Sequence, residues 1–177
     1  VTDRLVVCGL SAESRIAAGP GIRVIAGGGN STLLAAKLAA LDPAGLEAVI
    51  SFGVAGALDP SLKPGDLVIA TGIVAGETLE CDDGLKTRLM ARLEPGQPLL
   101  APIAGVDLPV LKPDAKAALH ASTGAAAVDM ESHLAAAYAA RHALPFAAIR
   151  VISDSAAHVL PPVAALAMKP DGGIAIG

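Results

Sequence analysis

Residues 127–156 read AVDMESHLAAAYAARHALPFAAIRVISDSA, and this stretch decides the fold. Ala125 to Val128 is short and apolar, as a buried strand is. Asp129 is placed to cap the helix that follows, with Met130, Glu131 and Ser132 in its first turn. Leu134, Ala135, Tyr138 and His142 recur at helical spacing on one face. Pro145 blocks further helix, and Phe146 to Ile152 is apolar except for Arg150. Such a run predicts a strand covered on both faces. The chain then reaches Ser153 and Asp154 just past the strand's carboxyl end, the edge at which open α/β sheets bind ligands. Glu131 and Asp154 are thereby drawn toward one cleft. Each also has an ordinary structural use: Glu131 favours a helix dipole, and Asp154 caps a turn. Arg150 asks for more, because a guanidinium inside a strand needs buried acceptors.

The composition bounds what that cleft serves. The chain has 177 residues, 53% of them apolar, so an ordered single domain spanning 1–177 with a sizeable core is expected. Gly, Pro or charge breaks every apolar run before it reaches membrane-spanning length. No signal-peptide pattern precedes Arg4. A net charge of −4 with scattered Lys and Arg gives no nucleic-acid footprint. Cys8 falls in a predicted strand and Cys81 in a polar loop, which reads as free thiols in a reducing cytoplasm. His120, His133, His142 and His158 lack ligand spacing, so no metal site is expected.

The earlier chain supplies three loops at strand ends. Arg4 to Leu10 predicts a first strand whose exit, Gly9 to Glu13, gives a ligand backbone room and places an acid at the turn into a helix. Gly21 to Ala26 predicts a second strand, entering Gly27-Gly28-Gly29-Asn30 before a helix over 33–41. A glycine run at that junction either makes a tight turn or offers N–H groups to an anion, and it is neither a Walker loop nor a full dinucleotide fingerprint. Glu47 to Phe52 predicts a third strand, followed by Gly53-Val54-Ala55-Gly56-Ala57-Leu58 and a Lys63-Pro64-Gly65-Asp66 turn. A fourth strand over 66–74, a helix over 83–93, two short strands around Gly105, and helices over 113–121 and 163–168 complete the pattern. Strands alternating with helices predict a three-layer αβα sandwich around a mixed, mostly parallel sheet.

Asp129-Met130-Glu131-Ser132, followed at this distance by Arg150-Val151-Ile152-Ser153-Asp154, resembles the superfamily of purine nucleoside phosphorylases and methylthioadenosine/adenosylhomocysteine nucleosidases. Gly53-Val54-Ala55-Gly56-Ala57-Leu58 is similar to that family's Gly-x-Ala-Gly-Gly-Leu, with Val54 where many members carry Ser or Thr. Gly-Leu-x-x-Glu at 9–13, the triple glycine, and the His158-Val159-Leu160-Pro161-Pro162 to Lys169-Pro170-Asp171-Gly172 ending look like the hopanoid-associated phosphorylases.

The resemblance implies cleavage of the N-ribosidic bond of a 5′-modified adenosine, with release of adenine from an adenosylhopane-type lipid by phosphorolysis. Hydrolysis, as in the methylthioadenosine/adenosylhomocysteine nucleosidases, and a non-catalytic nucleoside-binding member remain the alternatives. Asp154 would protonate N7 of the departing purine, and Met130 and Glu131 would hold the ribose. Protonating N7 requires that burial or an anionic neighbour keep Asp154 protonated. Ser153, Gly53, Val54, Ala55 and Arg150 would complete the substrate site. Glu13 matches the acid that activates water in the hydrolases, whereas Gly9, Gly28, Gly29 and Arg15 would grip phosphate in a phosphorylase. No cofactor beyond inorganic phosphate is implied, and a homodimer or higher homo-oligomer is expected.

Overall fold

The computed structural model describes residues 3–93 and 96–161. The predicted helix over 163–168 and the Lys169 to Gly172 end of the motif lie outside them. Strands β1 (Asp3–Cys8), β2 (Ile22–Ala26) and β3 (Leu46–Ala57) alternate with helices α1 (Ser11–Ala17) and α2 (Ser31–Ala39). Strands β4 (Leu67–Ala75) and β5 (Glu77–Glu80), helix α3 (Asp83–Leu93), strand β6 (Leu99–Gly105) and helix α4 (Pro113–Thr123) follow. The decisive stretch forms β7 (Ala127–Asp129), α5 (Ser132–Arg141) and β8 (Phe146–Asp154). All eight strands join one mixed sheet with helices on both sides, the αβα architecture expected from the alternation.

The sheet is not a simple row. β3 is parallel to β1 and β8, while its tip pairs antiparallel with β7. β8 also pairs with β4, β4 with β6, and β6 with β7. The pairings β3–β8–β4–β6–β7–β3 therefore return to their start and close part of the sheet on itself. At Ala55–Gly56 the β3–β8 register shifts, and Gly56 ends up opposite both Asp154 of β8 and Val128 of β7. The two halves of the decisive stretch thus flank one glycine.

Apolar burial explains the frame. Leu5, Val7, Val49, Val68, Ile73, Ile103 and Ile152 are fully enclosed. α5 presents Ala135, Ala136 and Ala139, whose small side chains let the helix sit close against β3. Pro145 ends its reach, and Leu144 N–H closes back on Ala139 O at 2.9 Å.

Several boundaries differ from the sequence reading. β3 continues through Ala57, because the segment expected to be a glycine loop finds strand partners on both sides. Gly76, at φ 82°, turns β4 back into β5, a hairpin that Glu77 to Glu80 does not advertise. One strand, not two, precedes Val106. Cys81 does fall in the loop between β5 and α3, but buried there; burial pushes its thiol up to about 11 and that of Cys8 to about 12. No described helix is long and apolar enough to cross a membrane.

Candidate active site

A cleft opens where the ends of β1, β3 and β8 meet the start of α5. Its wall carries Gly9, Glu13, Val54, Ala55, Gly56, Asp129, Met130, Glu131, Ser153 and Asp154, and its other side is apolar: Leu10, Val106, Pro109, Val110, Val128 and Leu160. Residues from five stretches of the sequence, 9–13, 54–56, 106–110, 128–131 and 153–160, converge here.

Glu13 sits in the first turn of α1, but capping is only part of its role. Its Oε2 accepts from the N–H groups of Gly9 (2.9 Å) and Leu10 (2.7 Å). Its Oε1 reaches across to the N–H of Val54 on β3 at 2.9 Å. Three backbone donors compensate the desolvation of a buried carboxylate. A Cβ added at Gly53 would lie 2.6 Å from Glu13 Oε1, so that glycine makes room for the acid from behind the wall.

Glu131 stands at the N-cap of α5, yet its side chain makes no capping hydrogen bond. It turns into the cleft beneath Gly9, where an added Cβ would approach its Oε1 to 2.7 Å. Burial first, then the charges of Asp129 and Glu13, push its carboxyl up to about 7, against the opposing pull of Arg150.

Arg150 answers its own sequence question. It is 1% exposed and lies under the cleft floor rather than in the wall. Its Nε donates to Asp129 Oδ2 at 2.5 Å, its Nη2 to Ser51 Oγ at 2.6 Å, and its Nη1 to Ile149 O at 3.0 Å. Asp129 in turn accepts from the backbone N–H (3.2 Å) and hydroxyl (2.5 Å) of Ser132 at the start of α5. This buried pair ties β8 to the start of α5, and the Arg150 side chain does not line the cleft. Assigning Arg150 to substrate contact is therefore corrected to a supporting position.

Asp154 closes the far end of the cleft. Ser153 Oγ donates to its Oδ1 at 2.7 Å, and Lys116 Nζ donates to its Oδ2. Lys116 is fully buried. Asp154 is buried, as protonating N7 asks, but its charged neighbour is a cation rather than an anion, because α4 lays Lys116 over the carboxyl end of β8. No pattern in Pro113 to Thr123 separates this lysine from Lys112, which is exposed. Asp129 was likewise read only as a cap and is also part of the wall.

The phosphate-gripping set does not assemble. Arg15 is exposed on α1 and absent from the cleft wall. Gly28 is buried, and its N–H is spent on Gly9 O at 2.7 Å. Gly28 and Gly29, at φ 67° and 70°, form a tight turn whose Asn30 caps α2 through Leu33 N–H at 2.9 Å. Gly29 borders a separate depression with Asn30, Thr32 and Leu108, which shares Pro109 and Met130 with the cleft. Gly9 does line the cleft, but its N–H is taken by Glu13.

Known structures share this frame. A methylthioadenosine/adenosylhomocysteine nucleosidase of Helicobacter pylori superposes with a TM-score of 0.74 at 20% identity, covering 88% of this chain and 87% of that one. A futalosine hydrolase mutant of H. pylori strain 26695 gives 0.75 at 19% identity over 86% and 90%. An adenosylhomocysteine nucleosidase of Streptococcus pyogenes, bound to 5-methylthiotubericidin, gives 0.75 at 20% over 89% and 86%. A search of curated proteins finds no significant match. The sequence model of the phosphorylase superfamily, by contrast, matches residues 3–166, nearly the whole chain. The chain belongs to the phosphorylase superfamily and is an enzyme that cleaves the N-glycosidic bond of a nucleoside.

Proposed function

We propose that the protein hydrolyses the N-ribosidic bond of a 5′-modified adenosine. The observation that carries this reading is the convergence of Glu13, Glu131 and Asp154 on one cleft whose remaining lining is mostly apolar. Breaking the bond leaves positive charge on the sugar and negative charge on the purine. Asp154 stands to protonate N7, and Glu131 stands to accept from the ribose hydroxyls and face the developing cation. Water attacks from the side of Glu13, whose backbone contacts hold the carboxylate in place to orient it and take its proton.

Water is favoured over phosphate by the electrostatics of the wall. Among the described residues, no Lys, Arg or His side chain lines the cleft. The N–H groups of Gly9, Leu10 and Val54, which would otherwise meet an anion, already serve Glu13. A phosphate here would face acceptors and negative charge rather than donors. The phosphorolysis implied by the hopanoid-associated resemblance is therefore set second to hydrolysis.

The 5′ substituent is proposed to be apolar. Met130 and Pro109 lead from the cleft toward Leu108 and Leu134, and a buried methylene gains about 0.8 kcal/mol. An adenosylhopane-type lipid is the large member of that substrate class, and methylthioadenosine the small one. The test follows adenine release from 5′-alkyl-5′-deoxyadenosines of increasing chain length. Rates sustained as the chain lengthens support the apolar channel. Rates that collapse beyond a methylthio-sized group remove the lipid. Binding without release of adenine would make the protein a nucleoside-binding module.

A further inference from the structure

We propose that Lys116 is the proton source behind Asp154, acting through that carboxylate and never touching substrate; this rests on reading the cleft as a purine nucleosidase site. Lys116 Nζ is fully enclosed and finds three acceptors for its three protons: Asp154 Oδ2, Ser155 O at 2.9 Å and His158 O at 3.4 Å. The resting pair is thus ammonium and carboxylate, with Asp154 Oδ1 held by Ser153. A carboxylate so occupied has no proton of its own to give N7.

The lysine does. Sharing a proton between two buried partners is the cheaper because the ion pair lacks the solvation that would otherwise favour it over the neutral, proton-shifted form. A Lys116 N–H bond breaks with its electrons left on the amine, and the proton joins Asp154 Oδ2. The carboxylic acid then passes a proton to N7 while the C1′–N9 bond breaks and its electron pair stays with the purine. Asp154 ends as the carboxylate it was, and Lys116 as a neutral amine. The proton that Glu13 takes from the attacking water leaves to solvent, and one returns to Lys116 through Asp154, which lines the cleft, so each turnover closes without net charge.

Arginine separates this role from a structural one, because a guanidinium keeps the charge and donors but does not release a proton. Steady-state kinetics on 5′-methylthioadenosine would compare the wild type with Lys116→Met, Lys116→Arg, Asp154→Asn and the Lys116→Met/Asp154→Asn double variant, with Tm as the check on folding. The proposal expects both lysine variants to lose kcat by about a hundredfold or more with little change in KM. It expects the double variant to fall no further than Asp154→Asn alone, since the two residues act in one step. Recovery of kcat by Lys116→Arg, wild-type kcat in Lys116→Met, or losses that multiply in the double variant would each overturn it. Lysine variants that unfold leave the Asp154→Asn enzyme as the arbiter: a pH profile of kcat identical to that of the wild type would sink the relay. Failure of the wild type to release adenine from any nucleoside would instead remove the reading of the site itself.

Discussion

Asp154 and Glu131 carry different burdens although both are buried acids in one cleft. Asp154 has a hydroxyl and an ammonium as partners. Glu131 has mainly other carboxylates for neighbours. Asp154→Asn is expected to lower kcat by about a hundredfold or more while leaving nucleoside binding in place, as loss of a general acid does; calorimetric binding beside the kinetics checks it. Near-normal turnover would strip Asp154 of that role. For Glu131 the prediction concerns pH. Its carboxyl lies at about 7 in the folded chain against an ordinary 4.5, so the folded state holds the proton more tightly than the unfolded state does. Stability is accordingly full below pH 4.5 and declines as pH rises toward about 7. Tm should therefore fall less steeply between pH 5 and 8 in Glu131→Gln than in the wild type. Equal slopes would mean that Glu131 ionises as freely folded as unfolded.

Elements place these residues through β3 more than through any helix. Its tip brings Gly56 opposite both Val128 and Asp154, and a Cβ there would stand 3.2 Å from Asp154 Oδ2. At Gly53 the clearance is smaller, 2.6 Å from Glu13 Oε1. Gly53→Ala is expected to displace Glu13, cost about 1–3 kcal/mol of stability and reduce turnover, with denaturant midpoints and kinetics measured together. Unchanged values for both would show that Glu13 is not tightly placed. Beneath the site, Arg150→Met leaves Asp129 as an unpaired buried charge and is expected to destabilise by about 3–5 kcal/mol. A change under 1 kcal/mol, measured by urea unfolding, would contradict a supporting role for that pair.

At the scale of the whole molecule, the alternation of strands and helices was legible because apolar runs such as Phe146 to Ile152 are local facts. Glu131 and Asp154 were each legible as acids beside strand ends, but β7 and β8 run in opposite senses against β3, so their meeting depends on Gly56, which both strands flank. What stayed hidden depends on distant partners. β3 extends through Gly53 to Ala57 only because β7 and β8 flank it, and Lys116 matters only because α4 crosses the end of β8. Of the two readings of the triple glycine the tight turn holds, since the N–H groups of Gly27 and Gly28 serve Cys8 O and Gly9 O. Leu108, Val159 and Val54 are 76%, 61% and 43% exposed. Light scattering of the active protein is expected to give twice the chain mass or a higher multiple, and a fully active monomer would exclude self-association.

The most direct test of the account is the fate of the sugar when 5′-methylthioadenosine is incubated with the protein in ¹⁸O-labelled water, with and without inorganic phosphate. Hydrolysis at a cleft walled by carboxylates predicts equal adenine release in both mixtures and one ¹⁸O on the C1 hydroxyl of free 5-methylthioribose. Adenine release that requires phosphate, with 5-methylthioribose 1-phosphate as the product, would contradict it.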